Sequence, residues 1–234
     1  MVKYSVVVPL KNEEENIKEL ILEIEPVMEN LNFPWELICI NDGSTDLTGS
    51  ILNSLAKQKP YIKVIHFNKN YGQSSAFDAG FKHAKGDFVI TLDGDRQNDP
   101  KDIPSLLQHT NTFDLICGIR TKRKDTFSKR IISKIANKVR SKFCDDGVKD
   151  TGCSLKVYRR SALQKIKMFN GMHRFLPALF KIEGFSIKEI PVNHRERVKG
   201  TTKYNFWNRS FNTISDMLAV RWMKNRHLNY KIDP

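Results

Sequence analysis

The sequence predicts an α/β fold with a mostly parallel central sheet flanked by helices, and three observations predict it. Apolar, β-branched runs begin at Tyr4, Glu36, Ile62 and Phe88, spaced 26 to 32 residues apart. A stretch with helical apolar spacing follows each run, an order that implies parallel strands joined by right-handed crossovers. The exits of these runs are rich in polar and acidic side chains, and strand carboxyl ends are where open α/β sheets bind ligands.

Taken in order, Tyr4 to Pro9 is the first expected strand, with Pro9 ending it because proline cannot continue a central ladder. Lys11 to Asn16 opens a helix that Asn12 can cap, with Ile17, Leu20, Ile21 and Ile24 as its inward stripe. Glu36 to Ile40 is the second strand, followed by the turn Asn41-Asp42-Gly43-Ser44-Thr45-Asp46 and a helix starting near Asp46. Ile62 to Phe67 is the third strand. Its exit, Asn68 to Gly72, leads to a helix with Ala76, Ala79, Gly80 and Ala84 on one side, small enough to sit close against a sheet. Phe88 to Leu92 is the fourth strand, buried on both faces.

That fourth strand ends in Asp93-Gly94-Asp95. Gly94 permits a tight turn, so both carboxylates can face the space beyond the strand. Hard oxygen ligands at this spacing suit a divalent ion that also holds a diphosphate; an acidic turn without metal is the plainer reading. Neither a GxGxxG nor a Walker lysine loop follows the first strand, so the usual dinucleotide and P-loop sites are absent. The net charge of +13 calls for an anionic partner, whether nucleic acid, lipid or phosphorylated substrate. Cys39, Cys117, Cys144 and Cys153 lie far apart without a CxxC pair, against a disulfide or zinc framework and in keeping with a reducing cytosol. No signal peptide is expected at the start of the chain, and no window reaches the roughly 20 apolar residues of a membrane span.

Four motifs carry a resemblance: Val8-Pro9-Leu10-Lys11-Asn12-Glu13, Asn41 to Asp46, Asn70-Tyr71-Gly72, and Leu92-Asp93-Gly94-Asp95-Arg96-Gln97. In order and spacing they resemble the inverting family 2 glycosyltransferases, and among these the polyprenyl-phosphate sugar transferases typified by dolichol-phosphate mannose synthase. The resemblance runs from residue 4 to about residue 205. It implies a GT-A fold and a nucleotide-sugar donor linked to UDP or GDP. It also implies a nucleotide pocket drawn from Pro9, Leu10, Asn12, Glu13, Asp42, Ser44, Asn70, Gly72, Gln73, Asp93 and Gly94. Asp93, Asp95 and Gln97 would hold Mg²⁺ or Mn²⁺. Arg96 departs from the family, whose lipid-transferring members usually carry an apolar residue there.

The second half bears on the acceptor. Asp114 to Ile119 is a short strand. From Arg120 to Lys142 there are ten Lys or Arg and one acid, with Phe127, Ile131, Ile135, Val139 and Phe143 at every fourth position. Such a helix can lie on an anionic membrane or pack its stripe on the sheet. Asp150 to Arg160 resembles the family's acceptor-side motif, with Asp150 a candidate general base. A sugar hydroxyl acceptor needs a base. A phosphate monoester is largely dianionic at neutral pH and needs cations instead, which the local Arg and Lys supply. Gly171 to Pro177 reads as a turn into an apolar helix, with His173 structural. Phe185 to Val192 is a strand leading to His194-Arg195-Glu196-Arg197-Val198-Lys199-Gly200-Thr201-Thr202-Lys203. By resemblance this loop closes over the donor, with Arg197 and Lys203 on the diphosphate and acceptor phosphate.

The expected organisation is a GT-A catalytic domain over 1–204, nucleotide-sugar half 1–100 and acceptor half 101–204. An amphipathic helix and tail over 205–234 carry Phe206, Trp207, Phe211, Ile214, Met217, Leu218 and Trp222, and no transmembrane segment is expected. The expected function is sugar transfer to a polyprenyl phosphate, with Asp95, Asp150, Arg197 and Lys203 as catalytic candidates. Transfer to a hydroxyl of a glycan or glycolipid, with Asp150 as base, is the alternative. Peripheral attachment to the cytoplasmic face of an anionic membrane is expected, directly or through a separate anchoring subunit. Specific nucleic-acid binding is not expected, because no reader motif is present.

Overall fold

The computed structural model describes residues 1–121, 143–144, 146–196, 206–228 and 230. Among them a seven-stranded sheet runs in the order β3-β2-β1-β4-β6-β5-β7. The strands are β1 Tyr4–Leu10, β2 Trp35–Asn41, β3 Ile62–His66, β4 Phe88–Thr91, β5 Leu115–Arg120, β6 Lys156–Arg159 and β7 Ile187–Val192. The helices are α1 Ile17–Glu29, α2 Thr48–Gln58, α3 Gln73–His83, α4 Ile103–Leu107, α5 Arg160–Leu163, α6 Leu176–Ile182 and α7 Phe206–Arg226. The first four strands are parallel. β6 lies antiparallel between β4 and β5, and β7 returns parallel to β5.

The sheet is covered on both faces. Val6, Val8, Leu37, Cys39 and Ile90 face one layer, where Ile17, Leu20, Ile21 and Ile24 of α1 meet them as the periodicity predicts. Val7, Ile38, Ile40 and Val89 face the other, shared with α3, α6 and Met217 and Val220 of α7. Each such side chain taken fully from water contributes about 1.5–3 kcal/mol before entropy is charged against it. Gly80 confirms the small-residue reading of α3: a Cβ there would lie 2.4 Å from Val7 Cγ1.

Two local expectations, on Pro9 and Asn12, are corrected, and a third, a helix starting near Asp46, holds. Pro9 lies inside β1 and does not end it. Leu92 donates its amide to Val7 and Asp42 to Leu10, so by alternation Pro9 faces the β4 side, beyond the last β1–β4 pair at Val7 and Thr91. Its missing N–H therefore costs no ladder bond. Asn12 does not cap α1, which begins at Ile17 after Asn16. Asn12 has φ +52 and accepts the Thr45 amide at 2.8 Å, while its own amide donates to Ser44 Oγ at 2.9 Å. The second helix starts at Thr48, whose amide Asp46 caps at 3.0 Å. The expected basic helix over 122–142 lies outside the described residues. No helix among the described residues is long and apolar enough to cross a membrane.

Candidate active site

The parallel strands deliver their exit loops to one cleft of about 930 Å³. β1 contributes Pro9, Leu10 and Glu13 to its wall; β2 contributes Asp42; the β3 exit contributes Asn70, Gly72 and Gln73. β4 contributes Asp93, Gly94, Asp95 and Gln97. Asn12 and Ser44 do not line the cleft. They bond each other's loops behind it, as described above. Asp42 is spent on backbone: the amides of Tyr71 and Gly72 donate to its two oxygens at 2.7 and 2.9 Å. It thereby shapes the β3 exit, with Gly72 at φ +88 allowing the turn into α3.

The turn after β4 is tight. A Cβ on Gly94 would meet Leu10 Cδ2 at 2.6 Å, so any larger residue there would have to push the Leu10 side chain aside. Asp95 Oδ1 accepts the Gln97 amide at 3.1 Å, and Gln73 Nε2 donates to Asp93 Oδ1 at 2.9 Å. Burial first, then the neighbouring Asp95 charge, push the Asp93 carboxyl up to about 6, against the pull of Ser154, Lys156 and Arg120. Two carboxylates separated by one residue, with the Asp95 charge raising the cost of charging Asp93, make a donor set that a hard divalent cation fits. Among the described residues no group of three or more His, Cys, Asp or Glu could hold a metal. The remaining ligands would have to come from Gln97 and from oxygens of a bound diphosphate.

Beside the acids the cleft also carries cations. Arg120, at the end of β5, and Lys156, the first residue of β6, both line it. Arg120 grips Asp150 from two nitrogens, Nε to Oδ2 and Nη2 to Oδ1, both at 2.7 Å, and its amide also reaches Oδ2 at 3.1 Å. Burial works against the Arg120 charge, but Asp150 more than offsets it and holds the guanidinium above its ordinary range. Lys156 is buried and donates to the carbonyls of Thr151, at 3.2 Å, and Cys153, curling the Asp150–Ser154 loop around its ammonium. Ser154 Oγ donates to Asn98 at 2.6 Å and so ties that loop to the acidic turn.

Gly171, His173 and Arg174, with Ser215 and Asp216 of α7, also line the cleft. His173 does not stand free: its Nδ1 pairs with Ser74 Oγ at 2.7 Å, and the Gly171 amide donates to the same hydroxyl at 3.0 Å. Burial raises the Asp216 carboxyl, with Arg174 opposing. Arg197 and Lys203 lie outside the described residues. Sequence reasoning passed over Arg120, Lys156 and Asp216 as cleft residues. Arg120 was visible only as the first cation of a basic run, and a lysine opening a four-residue strand carries no signal. Asp216 lies in a helix read for its apolar face.

A family model described as Glycosyl transferase family 2 matches residues 5–167. Dodecaprenyl-phosphate galacturonate synthase of Rhizobium johnstonii is 36% identical over 238 residues, spanning 98% of this chain and 68% of that protein. Undecaprenyl-phosphate 4-deoxy-4-formamido-L-arabinose transferase of Salmonella choleraesuis is 36% identical over 219 residues, 93% of this chain and 67% of that protein. Glucosyl-3-phosphoglycerate synthase from Mycobacterium tuberculosis, solved with Mn²⁺ and UDP-glucose, superposes with a TM-score of 0.73 at 19% identity, covering 94% of this chain and 79% of that one. The same enzyme with Mg²⁺ and UDP also gives 0.73 at 19% identity, covering 94% and 80%.

Proposed function

The chain belongs to glycosyl transferase family 2 and has its GT-A fold, and from that premise we propose that it transfers a sugar, with inversion, from a nucleoside diphosphate to a polyprenyl phosphate. The observation that carries the reading is the polarity of one cleft. Acids Asp93 and Asp95 and cations Arg120 and Lys156 line the same cavity, the cations close enough to pull on the Asp93 carboxyl. The two relatives named above, which act on polyprenyl phosphates by their names, support the acceptor class.

On this reading Pro9, Leu10, Glu13, Asn70 and Gly72 flank the nucleoside, and Asp42 fixes the loop that bounds it. Asp93, Asp95 and Gln97 would hold Mg²⁺ or Mn²⁺. Such an ion, when bound, takes up charge from the departing nucleoside diphosphate. Gln73 holds Asp93 in place for this role. Arg120 and Lys156 offset the charge of the incoming phosphate, which then approaches a second anionic group without full repulsion. Arg197 and Lys203 are proposed as further phosphate contacts. A phosphate nucleophile brings no proton that must be removed, so no base is required. The hydroxyl-acceptor alternative needs Asp150 as base, and both oxygens of that carboxylate already accept from Arg120.

The exposed apolar residues Ile214, Leu218 and Trp222 recur every fourth residue on α7, beside Arg221, Lys224 and Arg226. We propose that this face rests on an anionic bilayer on the cytoplasmic side, directly or with a separate anchoring subunit. The test of the reading is incubation with labelled UDP- and GDP-sugars, Mn²⁺ and polyprenyl phosphate. Label extracted into organic solvent as an acid-labile anionic glycolipid is the expected result; label that stays water-soluble with every donor would refute it.

A further inference from the structure

Behind the acidic turn, away from the cleft, a single carboxylate holds two arginines. Glu23 Oε1, on α1, takes Arg96 Nη2 at 2.5 Å. Its Oε2 takes Arg195 Nη1 at 2.6 Å, and the other arm of Arg195, Nη2, reaches Asp99 Oδ1 at 2.7 Å. Arg96 belongs to the turn itself and sits at φ +61, a left-handed conformation that a non-glycine residue keeps only when its surroundings impose it. Arg195 follows β7. Its amide donates to the Gln97 carbonyl at 2.9 Å, and Asn98 and His194 form an antiparallel bridge alongside. Three separate pieces of chain, α1, the turn after β4 and the exit of β7, therefore meet at Glu23.

We propose that Glu23 is a positioning residue, a clasp that sets the turn carrying Asp93, Asp95 and Gln97 against α1 and the β7 exit and so fixes how those groups meet a cation and diphosphate. The inference rests on the functional reading above for the cation, and on contacts of this chain alone for the clasp. Remove the Glu23 charge and two guanidinium groups are left facing the same point. Their repulsion acts on Arg96, whose side chain is anchored on α1. Mutual strain of this kind reaches Gln97 through the Arg195 amide. Partners one step behind a metal ligand commonly change metal affinity 10- to 100-fold when removed.

Glu23→Gln tests it, with Arg96→Leu as a second variant that removes one arm and leaves no excess cation. In metal-free protein, amide hydrogen exchange over 93–99 and 193–195 should speed up by about tenfold in Glu23→Gln, while exchange in β1 and β2 stays at the wild-type rate. Calorimetric titration of Mn²⁺ in the presence of UDP should show a Kd raised by about tenfold. The donor KM should rise more than kcat falls. Arg96→Leu should show the same pattern to a smaller degree. Unchanged exchange and unchanged Mn²⁺ affinity in both variants, in a wild type that does bind Mn²⁺ with UDP, would overturn the clasp. A wild type that takes up no Mn²⁺ with UDP would instead overturn the functional reading, and the metal-free exchange would still decide whether Glu23 holds the turn.

Discussion

Arg120 and Asp150 face each other end to end, two guanidinium nitrogens on two carboxylate oxygens, each at 2.7 Å. The side chains are 14% and 10% exposed, so the pair is largely shielded from water. A carboxylate held this way keeps a cation in register at the cleft wall. On the reading proposed above it would support the arginine and leave the chemistry to it.

The first prediction separates support from base. Asp150→Asn keeps the shape and loses the charge. As a support, Asp150 should be dispensable enough that kcat with a polyprenyl phosphate falls about tenfold or less, with a raised acceptor KM. A general base would cost about 10²- to 10⁴-fold in kcat. Steady-state kinetics over a range of acceptor concentrations distinguishes the two.

Asp95→Asn should remove the metal response. In the wild type, Mn²⁺ with UDP should raise the melting temperature, because a ligand bound only by the folded state stabilises by RT ln(1 + [L]/Kd). The variant should lose that rise while melting, metal-free, at or above the wild-type temperature, since one of two crowded acids is gone. Differential scanning fluorimetry with and without Mn²⁺ reads both. A full metal response in the variant would take Asp95 out of the site.

Gly171→Ala should be costly where Gly72→Ala is mild. Both glycines have left-handed backbone, φ +94 and +88. A Cβ at Gly171 would lie 2.3 Å from Asp216 Oδ2, whereas none of the surroundings comes within 4 Å at Gly72. Strain alone should cost about 1 kcal/mol at Gly72. Gly171→Ala should cost about 2–3 kcal/mol, because α7 must shift or Asp216 must leave its place. Asp216→Ala in the same chain should return part of that loss. Denaturant midpoints at constant slope would measure it.

Trp222→Glu and Leu218→Glu should abolish flotation with anionic vesicles and leave stability within about 0.5 kcal/mol. These positions are 63% and 55% exposed, so the substitutions disturb little of the core. Flotation equal to the wild type would remove this face from the membrane contact.

Much of the fold was legible because the first half is built from local rules. Apolar runs such as Val6 to Val8 and Val89 to Ile90 announce strands buried on both faces, and Gly80 announces close packing. What resisted reading depends on partners distant in sequence. Pro9 continues β1 only because β4 has already turned away at Asp93, a fact of the sheet and not of the tripeptide. β6 is four residues long, and nothing in Lys156-Val157-Tyr158-Arg159 says that it slips antiparallel between β4 and β5. The acidic side of the cleft was readable as Asp93-Gly94-Asp95. Its basic side was not, since Arg120 and Asp150 are 30 residues apart and meet only when β5 and the loop before β6 are adjacent. Glu23 likewise reads as one more glutamate on an amphipathic helix until Arg96 and Arg195 are brought to it.

The most direct measurement offers the same labelled donor and Mn²⁺ to a matched pair, a polyprenyl phosphate and the polyprenol that lacks only the phosphate. Transfer to the phosphate, at least a hundredfold faster than to the alcohol, is the predicted result. Equal transfer to both, or preference for the alcohol, would contradict it.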